Sequence, residues 1–173
     1  MVCRCGNTGC LEALAGGAAL LRGALRAASE GKSPRLARIQ EEGNDLTLAT
    51  IIHAALHGDS TVIDLLIRSA ELVGEALAGM VNFFNPSMIV LGGSVGRSLD
   101  LYLATVRRVV LNRSLPLATR SLQIVTSPLG NQAGLIGGAF AVMDELLSPN
   151  TLADWIEEGS PSGLPWLSGD DTT

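Results

Sequence analysis

Apolar residues recur at three- and four-residue steps along much of the chain, the spacing that puts them on one face of a helix. Leu11, Leu14, Ala18, Leu21, Leu25 and Ala28 follow that step and predict one helix from Leu11 to Ala28, ended by Gly31-Lys32-Ser33-Pro34. A second helix is expected after Asn44-Asp45, either of which can cap it, running through Leu48, Ile51, Ile52 and Leu56 to Gly58-Asp59. The most regular stretch carries Ile63, Leu66, Ala70, Val73, Leu77, Met80 and Phe84 over about six turns, and predicts a helix buried along its length. Asn85-Pro86 stops it, because the residue before a proline is driven out of the α region.

The pattern then changes period. Met88-Ile89-Val90-Leu91 is a continuous apolar run of the kind found in a central parallel strand. Gly92-Gly93 turns the chain into a helix marked by Leu99, Leu103, Val106 and Val110; after Leu115-Pro116 a second strand is expected from Leu122 to Val125. A helix from Gln132 to Leu147 follows, with Gly134, Gly137 and Gly138 near its start, where glycine permits close packing against a sheet. Pro149 closes it, and a short helix around Leu152 to Ile156 leads into a tail rich in Ser, Pro, Gly and Asp. The order of strands and helices reads as a helix-rich α/β chain, with one domain over residues 1–149 and a short helix and loose tail over 150–173.

Composition narrows the function classes. Of 173 residues, 47% are hydrophobic and only 3% aromatic, which favours helices packed through small side chains over an all-β sandwich. A net charge of −5, with basic residues scattered, makes this segment alone a poor binder of phosphate backbones. No apolar run reaches the ~20 residues needed to cross a bilayer, and the N-terminus lacks a signal-peptide pattern, so a cytoplasmic protein without a membrane partner is expected.

Cys3-Arg4-Cys5-Gly6-Asn7-Thr8-Gly9-Cys10 gathers all three cysteines of the chain on a loop with two glycines. Thiols at this density, without an export signal, read as metal ligands or redox groups rather than a disulfide framework. A structural zinc site needs four ligands, so Cys3, Cys5 and Cys10 would leave one to come from elsewhere. His53 and His57 stand four apart on a helix, but polar positions on an amphipathic face account for them. Glu12 sits where a carboxylate favours the start of a helix. Gly92-Gly93 between a strand and a helix is a tight turn, or a place where backbone amides approach phosphate; it fits neither the Walker loop nor the dinucleotide fingerprint.

The run Cys-x-Cys-Gly-x-x-Gly-Cys-x-Glu from Cys3 to Glu12, with the Asn85-Pro86 break and the strand end Ile89-Val90-Leu91-Gly92-Gly93, resembles the ROK family of repressors and sugar kinases. The resemblance extends from Val2 to about Pro149. It implies the helix-rich C-terminal lobe of an actin-like ATPase (ribonuclease H-like) fold with an incomplete sheet. It also implies structural zinc on Cys3, Cys5 and Cys10, whose fourth ligand is a histidine in a Glu-x-Gly-His segment upstream of this chain's first residue. Glu12 would accept hydrogen bonds from sugar hydroxyls. Gly92, Gly93, Gly130, Asn131 and Gly134 would line the nucleotide side of the cleft, where kinase members use ATP and Mg2+.

The catalytic aspartate of ROK kinases lies outside this stretch, so the chain alone is expected to be inactive and to supply no catalytic residue. The resemblance favours the C-terminal sugar-sensing and oligomerisation region of a transcriptional regulator, because more than twenty residues follow the Met143–Pro149 ending. The alternative is the C-terminal half of an ATP-dependent sugar kinase. Expected partners are a sugar or sugar phosphate, a second copy in a homo-oligomer, most simply a dimer, and DNA only through an N-terminal domain. A third reading has the cysteine knuckle and the long helix serve only oligomerisation, with the Ile63–Phe84 face as an association seam, although core burial explains that face better.

Overall fold

The structure is a computed structural model that describes residues 1–95 and 100–159. Within them the chain forms two compact units, residues 1–130 and residues 131 onward.

The first unit begins with the cysteine loop and continues as α1 (Leu11–Ala15) and α2 (Gly17–Ser29). The single helix expected from Leu11 to Ala28 is therefore broken at Gly16, whose backbone leaves the helical region at φ −71° and ψ 176°. Glycine is the weakest helix former after proline, and Gly16-Gly17 puts two in succession, so the apolar period survives while the backbone turns. Ser33-Pro34 proves to be a start as well as a stop: the Ser33 side chain accepts from the Leu36 amide and Pro34 opens α3 (Pro34–Glu41). In α4 (Leu48–Leu56) the cap is Thr47, in a reciprocal pair with Thr50, and neither Asn44 nor Asp45 serves.

Asp59 caps α5 (Ser60–Phe84), which ends on Asn85 at φ 46° before Pro86. Its buried stripe is Val62, Leu66, Ser69, Ala70, Gly74, Ala78 and Val81. The helix is not buried along its length, since Met80 and Phe84 of the predicted face are exposed, as is Phe83. It packs most closely on α6 (Asp100–Arg113), where a Cβ on Gly74 would stand 2.8 Å from the Cβ of Val109. Gly74 is thus a contact glycine, whereas Gly79 has open space around it. Arg108–Glu71 and Arg113–Glu75 ion pairs and Asn82, which bonds the Arg113 carbonyl and the Leu115 amide, stitch the outer edge of this helix pair.

β1 (Met88–Leu91) pairs in parallel with β2 (Gln123–Thr126), Met88 opposite Gln123 and Leu91 opposite Thr126. The short α7 (Pro116–Thr119) precedes β2. Arg107 on α6 donates from its guanidinium to the Ile124 carbonyl and ties helix to sheet. The core joins Leu20, Ala24, Leu36, Ile51, Val62, Leu66, Val81, Val106, Val110 and Ile124 from α2 to α6 and β2. Leu99 of the predicted α6 face lies outside the described residues.

After a 3-10 turn at Gly130–Gln132, the second unit comprises α8 (Ala133–Leu146) and α9 (Pro149–Glu158). Ser148 accepts from the Thr151 amide and starts α9, which is longer than the helix expected around residues 152–156. Gly134, Gly137 and Gly138 each have room for a Cβ, so crowding does not explain these glycines. The predicted tail beyond residue 159 lies outside the described residues.

Candidate functional site

The cysteine loop closes on itself through backbone bonds from the Cys3 amide to Asn7, from Gly6 to Cys3 and from Gly9 to Met1, with a single antiparallel bridge between Val2 and Thr8. Gly6 and Gly9 take φ of 87° and 75°, which L side chains resist, so the sequence can turn twice within eight residues. The turns bring the Sγ atoms of Cys3, Cys5 and Cys10 within 4.8 Å of one another, with Cys5 and Cys10 at 3.6 Å. Two thiolates on one tetrahedral zinc ion stand about 3.8 Å apart, given Zn–S bonds of about 2.3 Å. The donor set and its geometry therefore fit a metal ion, with Cys3, Cys5 and Cys10 as ligands. The Asn7 backbone amide lowers the Cys5 pKa, whereas the hydrogen bond with Cys5 raises that of Cys10. His57 instead turns its Nδ1 to the His53 carbonyl at the end of α4.

Cys10 is also the N-cap of α1: the Ala13 and Leu14 amides both bond to its carbonyl. Glu12 is consequently in the first turn after a candidate ligand, on a helix whose start the loop holds. Its carboxyl group lies over Gly16, in the position a Cβ there would occupy. Gly16 has ordinary backbone angles, so what the glycine supplies here is space for the carboxyl.

Glu12, Gly16, Gly17, Gly92, Gly93 and Tyr102 all line one cavity of about 600 Å³. Gly93, just beyond Gly92 at the end of β1, is at φ 87°, a backbone conformation that L side chains resist. The structure thus unites Glu12 with Gly92 and Gly93, residues distant in the sequence. Gly130 does not line this cavity, and Asn131 and Gly134 belong to the second unit.

Sequence reasoning missed two residues. Tyr102, the only tyrosine of the chain, lines the cavity with its hydroxyl 3.1 Å from Ser69 Oγ, and Ser69 donates to the Ala15 carbonyl at 2.7 Å. Burial pushes the Tyr102 phenol above its ordinary pKa, so it stays protonated at neutral pH. A lone tyrosine on an otherwise apolar helix face was the available signal.

Helices around a parallel strand pair, with Glu12 at the start of α1 and the glycine turn after β1 lining one cavity, define a helix-rich α/β protein with a cleft at the end of its strands. The ROK family profile matches residues 1–145, and the chain belongs to the ROK family. It is 32% identical over 143 residues to a glucokinase of Halalkalibacterium halodurans, covering 83% of this chain and 43% of the relative. It is 33% identical over 147 residues to a xylose repressor of Caldicellulosiruptor bescii, covering 85% of this chain and 37% of the relative. Among solved structures, a ROK glucokinase of Streptomyces griseus in complex with glucose and AMPPNP matches with a TM-score of 0.70 at 30% identity, over 82% of this chain and 46% of that one. The chain thus spans less than half the length of these relatives, and its architecture is that of the actin-like ATPase fold of ROK kinases and regulators.

Proposed function

We propose that this chain is the sugar-sensing and oligomerisation region of a cytoplasmic ROK transcriptional regulator, that Glu12 accepts hydrogen bonds from sugar hydroxyls, and that Cys3, Cys5 and Cys10 hold a structural zinc ion. One observation carries the reading: Glu12 opens into the cavity from a helix whose N-cap is itself one of the clustered cysteines. A carboxylate is an acceptor only, suited to the hydroxyls of a sugar, and a metal on the loop would fix where it points. The same reading gives the domain limits as 1–149 for the lobe, with the knuckle in 1–12, and 150–173 for the tail. DNA contact and the rest of the sugar site would come from other parts of the protein.

The likeness to glucokinases, one of them solved with glucose and AMPPNP, favours a second reading as the C-terminal half of a sugar kinase. Gly92 and Gly93, with Gly130, Asn131 and Gly134 as further candidates, would then border ATP and its Mg2+. The two readings separate on incubating the complete protein with glucose or xylose and ATP. Sugar binding without phosphate transfer is expected for the regulator, and measured turnover overturns it. Sugar affinity is also expected to fall at least tenfold in Glu12→Gln, a loss of about 1.4 kcal/mol or more.

A further inference from the structure

We propose that Ser69 and Tyr102 are positioning residues for Glu12, setting sugar affinity through the backbone of α1. The inference rests on the sugar-binding reading of Glu12 above.

α1 has only five residues, so it cannot satisfy its own last carbonyls. The Glu12 carbonyl receives the Gly16 amide, while among the described residues no backbone amide reaches the Ala15 carbonyl. Ala15 is buried, where a carbonyl without a hydrogen-bond partner is costly. Its partner is the Ser69 hydroxyl, brought 54 residues along the chain by the middle of α5. A serine hydroxyl has one proton, and Ser69 gives it to Ala15. The contact with Tyr102 must therefore run the other way, the phenol donating to Ser69 Oγ. Protons are thus ordered from Tyr102 to Ser69 to Ala15, joining α6, α5 and α1 in one chain of bonds. Both side chains are almost sealed from water, Ser69 at 3% exposure and Tyr102 at 9%, so water cannot readily replace either partner.

The position of this relay gives it a role beyond stability. It ends one residue before Gly16, over which the Glu12 carboxyl lies, and Tyr102 itself lines the same cavity as Glu12, Gly92 and Gly93. The cysteine loop holds the start of α1 through Cys10, and Ser69 holds its end through Ala15. A helix of barely more than one turn is thereby fixed at both ends, and the carboxylate it carries has one place to point. Without Ser69 the C-terminal anchor is lost, and ordering that segment must be supplied when sugar binds.

The test measures binding of glucose and xylose by calorimetry to the complete zinc-loaded protein and to Ser69→Ala, Tyr102→Phe and Val81→Ala. Val81 is fully buried on α5 away from the cavity, so V81A reports what lost stability alone does to affinity. S69A is expected to weaken binding about tenfold at unchanged zinc content, the unpaired carbonyl appearing as lost affinity. Y102F keeps its shape and leaves the Ser69 bond to Ala15 intact, so a smaller loss of about threefold is expected, with faster amide exchange across residues 11–16 in the sugar-free protein. Should S69A fail to fold, Y102F carries the test. Affinities of S69A and Y102F no lower than that of V81A overturn the proposal. If E12Q also binds as well as the unaltered protein, the sugar-site reading falls with it; if E12Q alone loses affinity, only the relay is refuted. Failure of the unaltered protein to bind either sugar overturns both.

Discussion

The cysteine loop and the α5–α6 pair hold their shapes by opposite means. The helix pair is a packed interior, with Val62, Val81, Val106 and Val110 fully buried and Gly74 chosen to let two backbones approach. The loop has almost no apolar interior: Met1, Val2, Cys5 and Gly6 are exposed, and a few backbone bonds and two left-handed glycines give its form. A packed core stabilises itself through the surface it removes from water, whereas a loop of this kind relies on whatever cross-links its thiols. Glu12 lies at the junction, attached to the weaker region and facing the stronger.

The contrast breaks most visibly by damaging the interior. Ile51→Ala removes a side chain that is 1% exposed and is expected to cost about 2–5 kcal/mol in chemical denaturation, with metal content unchanged. Gly74→Ala comes next: the new methyl would meet Val109, and overpacking of about 1–3 kcal/mol should exceed the roughly 1 kcal/mol that alanine contributes to a helix. A stabilised G74A would show that the helix pair is looser than the contact implies. Thr47→Ala removes the reciprocal cap of α4 and is expected to cost about 1 kcal/mol by the same measurement.

These effects follow from features the sequence displays unequally. The cysteine loop was legible because its three cysteines lie close together in the sequence, and α5 because its period is long and its stops, Asp59 and Asn85-Pro86, are local. The break at Gly16 was not, since the apolar step passes through it unchanged; α3 was hidden because Ser33-Pro34 serves equally as an ending and a beginning. The exposed end of α5 escaped notice because period alone says which face is apolar, not what covers it. In the site, Glu12 and the glycines after β1 could be named from the resemblance, but Ser69 and Tyr102 stand 33 residues apart and meet only through packing.

The smallest expected effect on the interior is metal removal. If the cysteines hold zinc as proposed, a strong zinc chelator should raise amide exchange across residues 2–12 while leaving the α5–α6 amides protected. Loss of protection in both regions at once would show that loop and interior fold as one cooperative unit.

The paired strands β1 and β2 have a practical outcome at the bench. Met88 and Val90 point the same way along β1, each 52% exposed, beside a strand with a single hydrogen-bonded neighbour among the described residues. Apolar side chains beside unsatisfied ladder groups invite a like strand from another molecule. Purified by itself, this polypeptide should scatter more light as its concentration rises, and a lysine at position 90 should keep it clear.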